Sequence, residues 1–238
     1  MLSAEDGVLV NDAATTRFDF GTIAARYDAW YQKPRGAMYD RLEKRAIDSL
    51  LPAASDGDKL LEIGCGTGHF SAHFAHKGFA VTGVDVSEAM VAVARQKNIK
   101  NSGFQVADAE HLPFKDKIFD VVAAITALEF VSDPVKVVSE MVRCVKQPGG
   151  ALIVGVLNRL SACNRSKQRK GTAMYASARL FAPGELRDLL LPFGTLTVQI
   201  AGFVPRQGAL VWLSPLLEYM GRLTGNRHGA FLAASVSL

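Results

Sequence analysis

Leu60-Leu61-Glu62-Ile63-Gly64-Cys65-Gly66-Thr67-Gly68-His69-Phe70 joins an apolar run of strand length to a helical pattern through three glycines at alternate positions. Glycines between a strand and a helix permit a tight turn, and their missing side chains let a ligand touch the backbone. The helix that follows points free amides and its positive dipole end at that ligand. Asp85 ends the next strand, 17 residues beyond Gly68. A carboxylate there can accept two hydrogen bonds from a ribose diol. Together the turn and Asp85 point to an adenosine-containing cofactor at the carboxyl edge of a sheet.

Two details separate the cofactors. A dinucleotide fingerprint spaces its glycines Gly-x-Gly-x-x-Gly, which would put the third at position 69; His69 stands there instead. Glu62 lies two residues before the first glycine. A carboxylate at that point suits a ligand carrying an ammonium and opposes a pyrophosphate. S-adenosylmethionine has an ammonium, a sulfonium and a ribose, and no phosphate.

Outward from this turn, strand-length apolar runs alternate with helical patterns. Strands are expected at Lys59–Ile63, Phe79–Asp85, Gly103–Ala107, Phe119–Ile125 and Ala151–Leu157. Helices are expected from His69 to Lys77, from Ser87 (an N-cap) to Lys97, and from Asp133 to Val145. Strands apolar on both faces and alternating with helices imply a parallel sheet covered on both sides. Residues 17–51 carry aromatics at helical spacing (Phe18, Phe20, Tyr27, Trp30, Tyr31) and form a helical cap over the sheet. The cofactor-binding core runs from about residue 58 to 157. The segment from 158 to 238 holds a basic connector, a helix around Pro183–Leu191 and two further strands, Thr195–Phe203 and Phe231–Leu238. No repeat or linker divides the chain, so residues 1–238 read as one α/β domain.

Glu62-x-Gly64-x-Gly66-x-Gly68 with Asp85 resembles the class I S-adenosylmethionine-dependent methyltransferases. The resemblance continues through Asp108-Ala109-Glu110-His111-Leu112-Pro113-Phe114, Phe119-Asp120 and Lys146-Gln147-Pro148-Gly149-Gly150. It is strongest toward the small-molecule branch that includes the quinone-biosynthesis methyltransferases. It implies a Rossmann-like, seven-stranded, mostly parallel sheet of order 3-2-1-4-5-7-6 with helices on both faces. It also implies roles for residues: Glu62, Gly64, Cys65, Gly66 and Gly68 around the cofactor, and Asp85 on the ribose. Val86 and Met90 would sandwich the adenine, Asp108 would accept from its amino group, and the Ala109 amide would donate to its ring. Ile125 and Thr126 would line the methionine arm, and Tyr27, paired with Asp28, would close over its end.

Weaker signals remain. Glu129 reads either as a general base raised by burial or as a surface or helix-start charge, and the second reading is preferred. The connector Asn158–Gly171 carries Arg159, Arg165, Lys167, Arg169 and Lys170. It would grip an anion, an RNA or an anionic membrane surface, or form a solvated loop, the reading preferred. Ala209–Leu223 is apolar and reads as a lid, a dimer contact or a membrane-surface helix, with a packed cap over the active site preferred. His69, His73 and His76 share a helix without a matching Cys, Asp or Glu cluster, so no metal is expected.

Composition sets the outer limits. The chain has 238 residues, 49% hydrophobic and 21% charged, which excludes disorder, collagen and coiled coil as whole-chain descriptions. A net charge of +4 is too mild to mark a nucleic-acid binder. Cys65, Cys144 and Cys163 are odd in number and widely spaced, which fits a reducing cytoplasm. No signal peptide or spanning segment is read. The expected function is methyl transfer from S-adenosylmethionine to a small acceptor, leaving S-adenosylhomocysteine. An RNA methyltransferase and a non-catalytic cofactor-binding module stay open beside it.

Overall fold

The structure is a computed structural model, and it describes residues 20–171, 173–204 and 214–238. Phe18 and residues 209–213, both part of the expectations above, lie outside the described residues. The chain enters through α1 (Ala24–Tyr27), between two short 3-10 turns, and α2 (Pro34–Asp48), which has proline at its first turn. The core follows as β1 (Lys59–Ile63), α3 (His69–His76), β2 (Ala80–Asp85), α4 (Glu88–Gln96), β3 (Ser102–Val106), β4 (Val121–Ile125), α5 (Pro134–Cys144) and β5 (Ala151–Leu157). Then come α6 (Ala162–Arg169), α7 (Ala173–Ser177), α8 (Pro183–Leu190), β6 (Thr195–Ala201), α9 (Ser214–Leu223) and β7 (Phe231–Ser237).

The strands form one seven-stranded sheet of order β3-β2-β1-β4-β5-β7-β6. All pairings are parallel except those of β7, which runs antiparallel to both β5 and β6. This is the Rossmann-like architecture expected. Side-chain alternation explains how both faces are covered. Leu61, Ile63, Val122, Val154 and Leu232 pack with Val137 and Met141 of α5 and Leu186 of α8. Their strand neighbours Leu60, Val121, Ala123, Ile153 and Phe231 pack on the other face with Ile47 of α2 and Phe74 of α3. The strand order reverses at β1, whose neighbours are β2 and β4. The carboxyl ends of these strands therefore open a crevice there.

Caps set the helix starts. Ser87 accepts from the Met90 amide at 3.3 Å, and Asp133 accepts from the Val135 and Lys136 amides.

The basic connector corrects the sequence reading: it is largely helix, not a solvated loop. Polar residues anchor it where periodicity looks for apolar ones. Asn158, fully buried, donates to the Arg227 and Gly229 carbonyls at 2.8 and 2.7 Å and accepts from the Leu160 amide at 2.9 Å. Asn164 of α6, also buried, donates to the Asn158 and Ala230 carbonyls. An unpaired buried polar group costs roughly 1–3 kcal/mol. Asn158→Ala would leave the buried Gly229 carbonyl and the half-buried Leu160 amide without their partner and is expected to destabilise the fold by about 1–3 kcal/mol in urea denaturation.

Candidate active site

A cavity of about 890 Å3, part of it open to solvent, lies at the carboxyl ends of β1, β2 and β4. Glu62, Gly64, Cys65 and Gly66 reach it from β1 and its turn, and Asp85, Val86 and Met90 from β2 and α4. Asp108 and Ala109 reach it from beyond β3, Ile125 and Thr126 from the end of β4, and Tyr27 from α1. Gly68 is the one expected cofactor residue that does not line it. It caps α3 at φ +77°, and a Cβ there would meet Ile99, Phe104 and Ala94 at 3.1–3.3 Å. Its glycine answers to backbone conformation and to packing against α4 and β3.

Asp85 organises the turn. Its Oδ2 accepts from the Gly66 amide and its Oδ1 from the Ser87 amide, both at 2.9 Å. Burial pushes its carboxyl up from the ordinary range, against the pull of these two amides. Each carboxylate oxygen keeps a further lone pair for a ligand donor. Across the turn, Glu62 is 2% exposed and accepts a short hydrogen bond from the Ser71 hydroxyl of α3. Burial pushes Glu62 up to about 8. Gly66 lies between the two carboxyls along the turn, and a Cβ there would find nothing within 4 Å.

On the β3 side, Met90 is 1% exposed and forms floor with Val86. The Asp108 carboxyl turns back on its own loop, accepting from the Glu110 amide at 2.9 Å and facing His111 Nδ1 at 3.4 Å. At the end of β4, Thr126 holds φ +51°, a left-handed conformation rare for a β-branched residue. Its amide donates to the Gly155 carbonyl at 2.7 Å, which holds it there. Such local strain concentrates at ligand sites.

The N-terminal helices form the roof. Thr67 donates to Asp28 at 2.6 Å, and Lys97 pairs with the other Asp28 oxygen, so the residue beside Tyr27 is tied to the glycine turn and to α4. Tyr31 stacks on His69 with centroids 3.7 Å apart and planes 5° apart, and His69 contacts Asp40 at 2.6 Å. Phe20, Tyr31 and Phe130 complete the wall, and sequence reasoning did not single them out as ligand contacts. Their signal was present: Tyr27 and Tyr31 stand four apart on a helical stretch.

Behind the roof lies a second cavity of about 1310 Å3, also partly open. The two share Tyr27, Tyr31, Thr126 and Phe130 as a common wall.

Three sequence expectations change here. Glu129 is neither a surface charge nor a cavity residue. It is fully buried, its Oε1 accepts from the Leu157 amide at 2.6 Å, and its Oε2 has no hydrogen-bond partner among the described residues. The β4–α5 loop turns it under β5 instead of into the cleft. The basic cluster is divided: Arg165 and Lys167 bond back onto the fold, whereas Arg159, Arg169 and Lys170 are exposed. Arg159 pairs with Glu185, Arg165 donates to the Arg159 and Leu160 carbonyls, and Lys167 donates to the Tyr175 hydroxyl at 2.7 Å. Finally, α9 packs beside β6, at the sheet edge remote from β1, and none of its described residues lines either cavity. It is not a lid on this site.

Glu43 of α2, Glu62 and Glu129 share one condition: burial pushes each up to about 8. A carboxyl that binds its proton more tightly in the fold than in the unfolded chain adds stability at low pH. That contribution is lost as pH rises from about 4.3 through the folded value. Denaturation midpoints are therefore expected to fall between pH 5 and pH 9. Glu129→Gln keeps the acceptor toward Leu157 and removes one titration, so its midpoint should fall less steeply over the same range.

Residues 61–154 match the family described as Methyltransferase domain. The chain is 32% identical to an uncharacterized protein of Methanocaldococcus jannaschii, over 74% of this chain and 80% of that one. It is 39% identical to a demethylmenaquinone methyltransferase of Beutenbergia cavernae, over 57% of this chain; the match spans about half of that enzyme, 55%. Among solved structures, it resembles an S-adenosylmethionine-dependent methyltransferase from Thermotoga maritima, described as a possible histamine N-methyltransferase. The TM-score is 0.71 at 27% identity, covering 92% of this chain and 97% of that one. With the sheet order, the glycine turn and the cavity at its mouth, these likenesses lead to one assignment: the chain belongs to the class I S-adenosylmethionine-dependent methyltransferases.

Proposed function

We propose that this enzyme methylates a small-molecule acceptor held in the second cavity, beside a cofactor held in the first. The observation that carries the reading is the common wall of Tyr27, Tyr31, Thr126 and Phe130, across which donor and acceptor would meet. The residues of the first cavity fit S-adenosylmethionine. Asp85 has lone pairs left for a ribose diol, and Glu62 offers a buried carboxyl to an ammonium. Val86 and Met90 offer an apolar shelf to the adenine, with the Asp108 carboxyl and the Ala109 amide at its edge. Cys65, Ile125 and Thr126 would flank the methionine arm, and the space at Gly66 admits a ligand against the backbone.

When bound, S-adenosylmethionine supplies a methyl group already activated on a sulfonium. The protein's task is then alignment and exclusion of water. Tyr27, Phe20 and Phe130 provide an apolar roof, and Asp28 fastens it to the turn.

A small acceptor is favoured over RNA because Arg165 and Lys167 already have partners inside the fold and Arg159 is paired with Glu185 at the surface. The demethylmenaquinone relative supports the same class. We also read residues 1–238 as one domain, since a single sheet draws its strands from Lys59 through to Ser237. A cytoplasmic setting agrees with three free cysteines, two of them buried. Among the described residues no helix is long and apolar enough to cross a membrane.

Incubation with methyl-labelled donor and a metabolite extract should place label in a small molecule. Label in RNA alone, or in nothing, would overturn the reading. A second test addresses Asp85. Hydrogen bonds to a charged group contribute about 1.5–3 kcal/mol, so Asp85→Ala should weaken S-adenosylhomocysteine binding by roughly 10–100-fold in calorimetry. Because Asp85 also holds the Gly66 amide, a 2′-deoxy analogue serves as the partner in a double cycle. It should lose less affinity than the natural ligand when Asp85 is removed; equal losses would make Asp85 a turn residue only.

A further inference from the structure

Among the described residues that line the second cavity, one is acidic. Glu43 lies on the buried face of α2, is 7% exposed and lines this cavity. Among the described residues no hydrogen-bond donor reaches its carboxyl. A buried carboxyl without a donor costs free energy, and a fold that keeps one beside an open cavity leaves it for a ligand. Glu43 lines this cavity together with Tyr175 and with Tyr27 and Tyr31, the last two belonging to the wall shared with the cofactor cavity.

The rest of the lining narrows the ligand. Tyr27, Trp30, Tyr31, Phe130 and Tyr175 surround the space, a setting that stacks a flat ring. Against the single carboxyl stand Arg26 and Lys33 in the lining, with the Lys167 ammonium behind Tyr175 at 2.7 Å from its hydroxyl. This balance disfavours a ligand that arrives as a cation. It favours one that enters neutral and becomes anionic as it loses a proton.

We propose that Glu43 is the proton acceptor of the methyl transfer, serving a small aromatic acceptor whose hydroxyl it deprotonates. This rests on the methyltransferase reading above and names its base and acceptor class. The acceptor oxygen forms the new bond to the methyl carbon, the carbon–sulfur bond breaks with its electron pair returning to sulfur, and the hydroxyl proton passes to the Glu43 carboxylate. The groups that face Glu43 set when it can act. Burial, Asp40 and Glu129 hold its proton on, while Lys167 and Lys44 loosen it, leaving it at about 8. That suits a general base working near neutrality. Glu129 cannot take the role, because it lines neither cavity and one of its oxygens is held by the Leu157 amide.

The test uses the full chain, S-adenosylmethionine and three probes: 4-ethylphenol, phenethylamine and pentafluorothiophenol, the last already ionised at neutral pH. The parent protein is expected to methylate 4-ethylphenol with a rate that rises through about pH 8. Glu43→Gln should lose this limb and roughly 100-fold or more in rate, yet methylate the thiolate within a few-fold of the parent. Glu43→Asp should restore the limb at reduced rate. Calorimetric binding of S-adenosylhomocysteine by all three proteins separates these results from a failure of the cofactor reading. The proposal is overturned if Glu43→Gln methylates the phenol as fast as the parent, if it loses phenol and thiolate equally, or if the parent prefers the amine or accepts no phenol.

Discussion

The Asp85 carboxylate holds two chain segments at the mouth of the sheet: the glycine turn after β1 through the Gly66 amide, and the start of α4 through the Ser87 amide. Two hydrogen bonds at 2.9 Å thus tie the turn after β1 and the start of α4 to the end of β2, beside the point where the strand order reverses. The turn in turn places Thr67 to hold Asp28, and His69 to carry Tyr31. The roof over the cavity is therefore positioned through the same turn. A carboxylate used this way is costly, and burial raises its pKa even with two amides in place. Ligand donors at its remaining lone pairs would offset that cost, so structure and binding draw on one side chain.

The same economy extends to the other carboxyls. Glu62 and Glu43 are both buried, both held protonated near neutrality, and both line a cavity. Glu62 has the Ser71 hydroxyl, whereas Glu43 has no donor among the described residues. Glu129 completes the set in a different role, since it braces the end of β5 through the Leu157 amide and meets no cavity. Three residues of one chemical type are separated by what surrounds them. One suits a charged ligand group, one a proton in transit, and one the backbone.

Aromatic side chains supply what the polar groups cannot. Phe20 meets Phe130 edge-on at 4.8 Å, and Tyr31 stacks on His69, joining the N-terminal segment to the β4–α5 loop and to α3. These contacts line the crevice with apolar surface on one side, which lowers the local dielectric and strengthens the electrostatic interactions beneath them. They also make the shared wall between the cavities a product of two stretches of chain distant in sequence, residues 27–31 and 126–130.

Much of this was legible in the amino-acid order. The apolar runs from 59 to 157, the cap at Ser87, and the glycines after β1 are local signals, because strand and helix periodicity and tight turns depend on near neighbours. They point to a parallel sheet covered on both faces, with Glu62, the glycine turn and Asp85 at its carboxyl edge; the strand order, with the crevice at its reversal, and the places of Val86 and Met90 came from the resemblance to the methyltransferase family. Gly68 shows where that logic stops, since a glycine required by Phe104 and Ile99 looks in sequence like one required by a ligand. The helix α6 was hidden because buried asparagines, not an apolar stripe, tie it down. The opposite fates of Glu43 and Glu129 were hidden for a related reason. Burial, and the pKa that follows from it, belongs to the packing of distant segments, and only the tertiary structure decides which carboxyl faces a cavity and which faces the backbone.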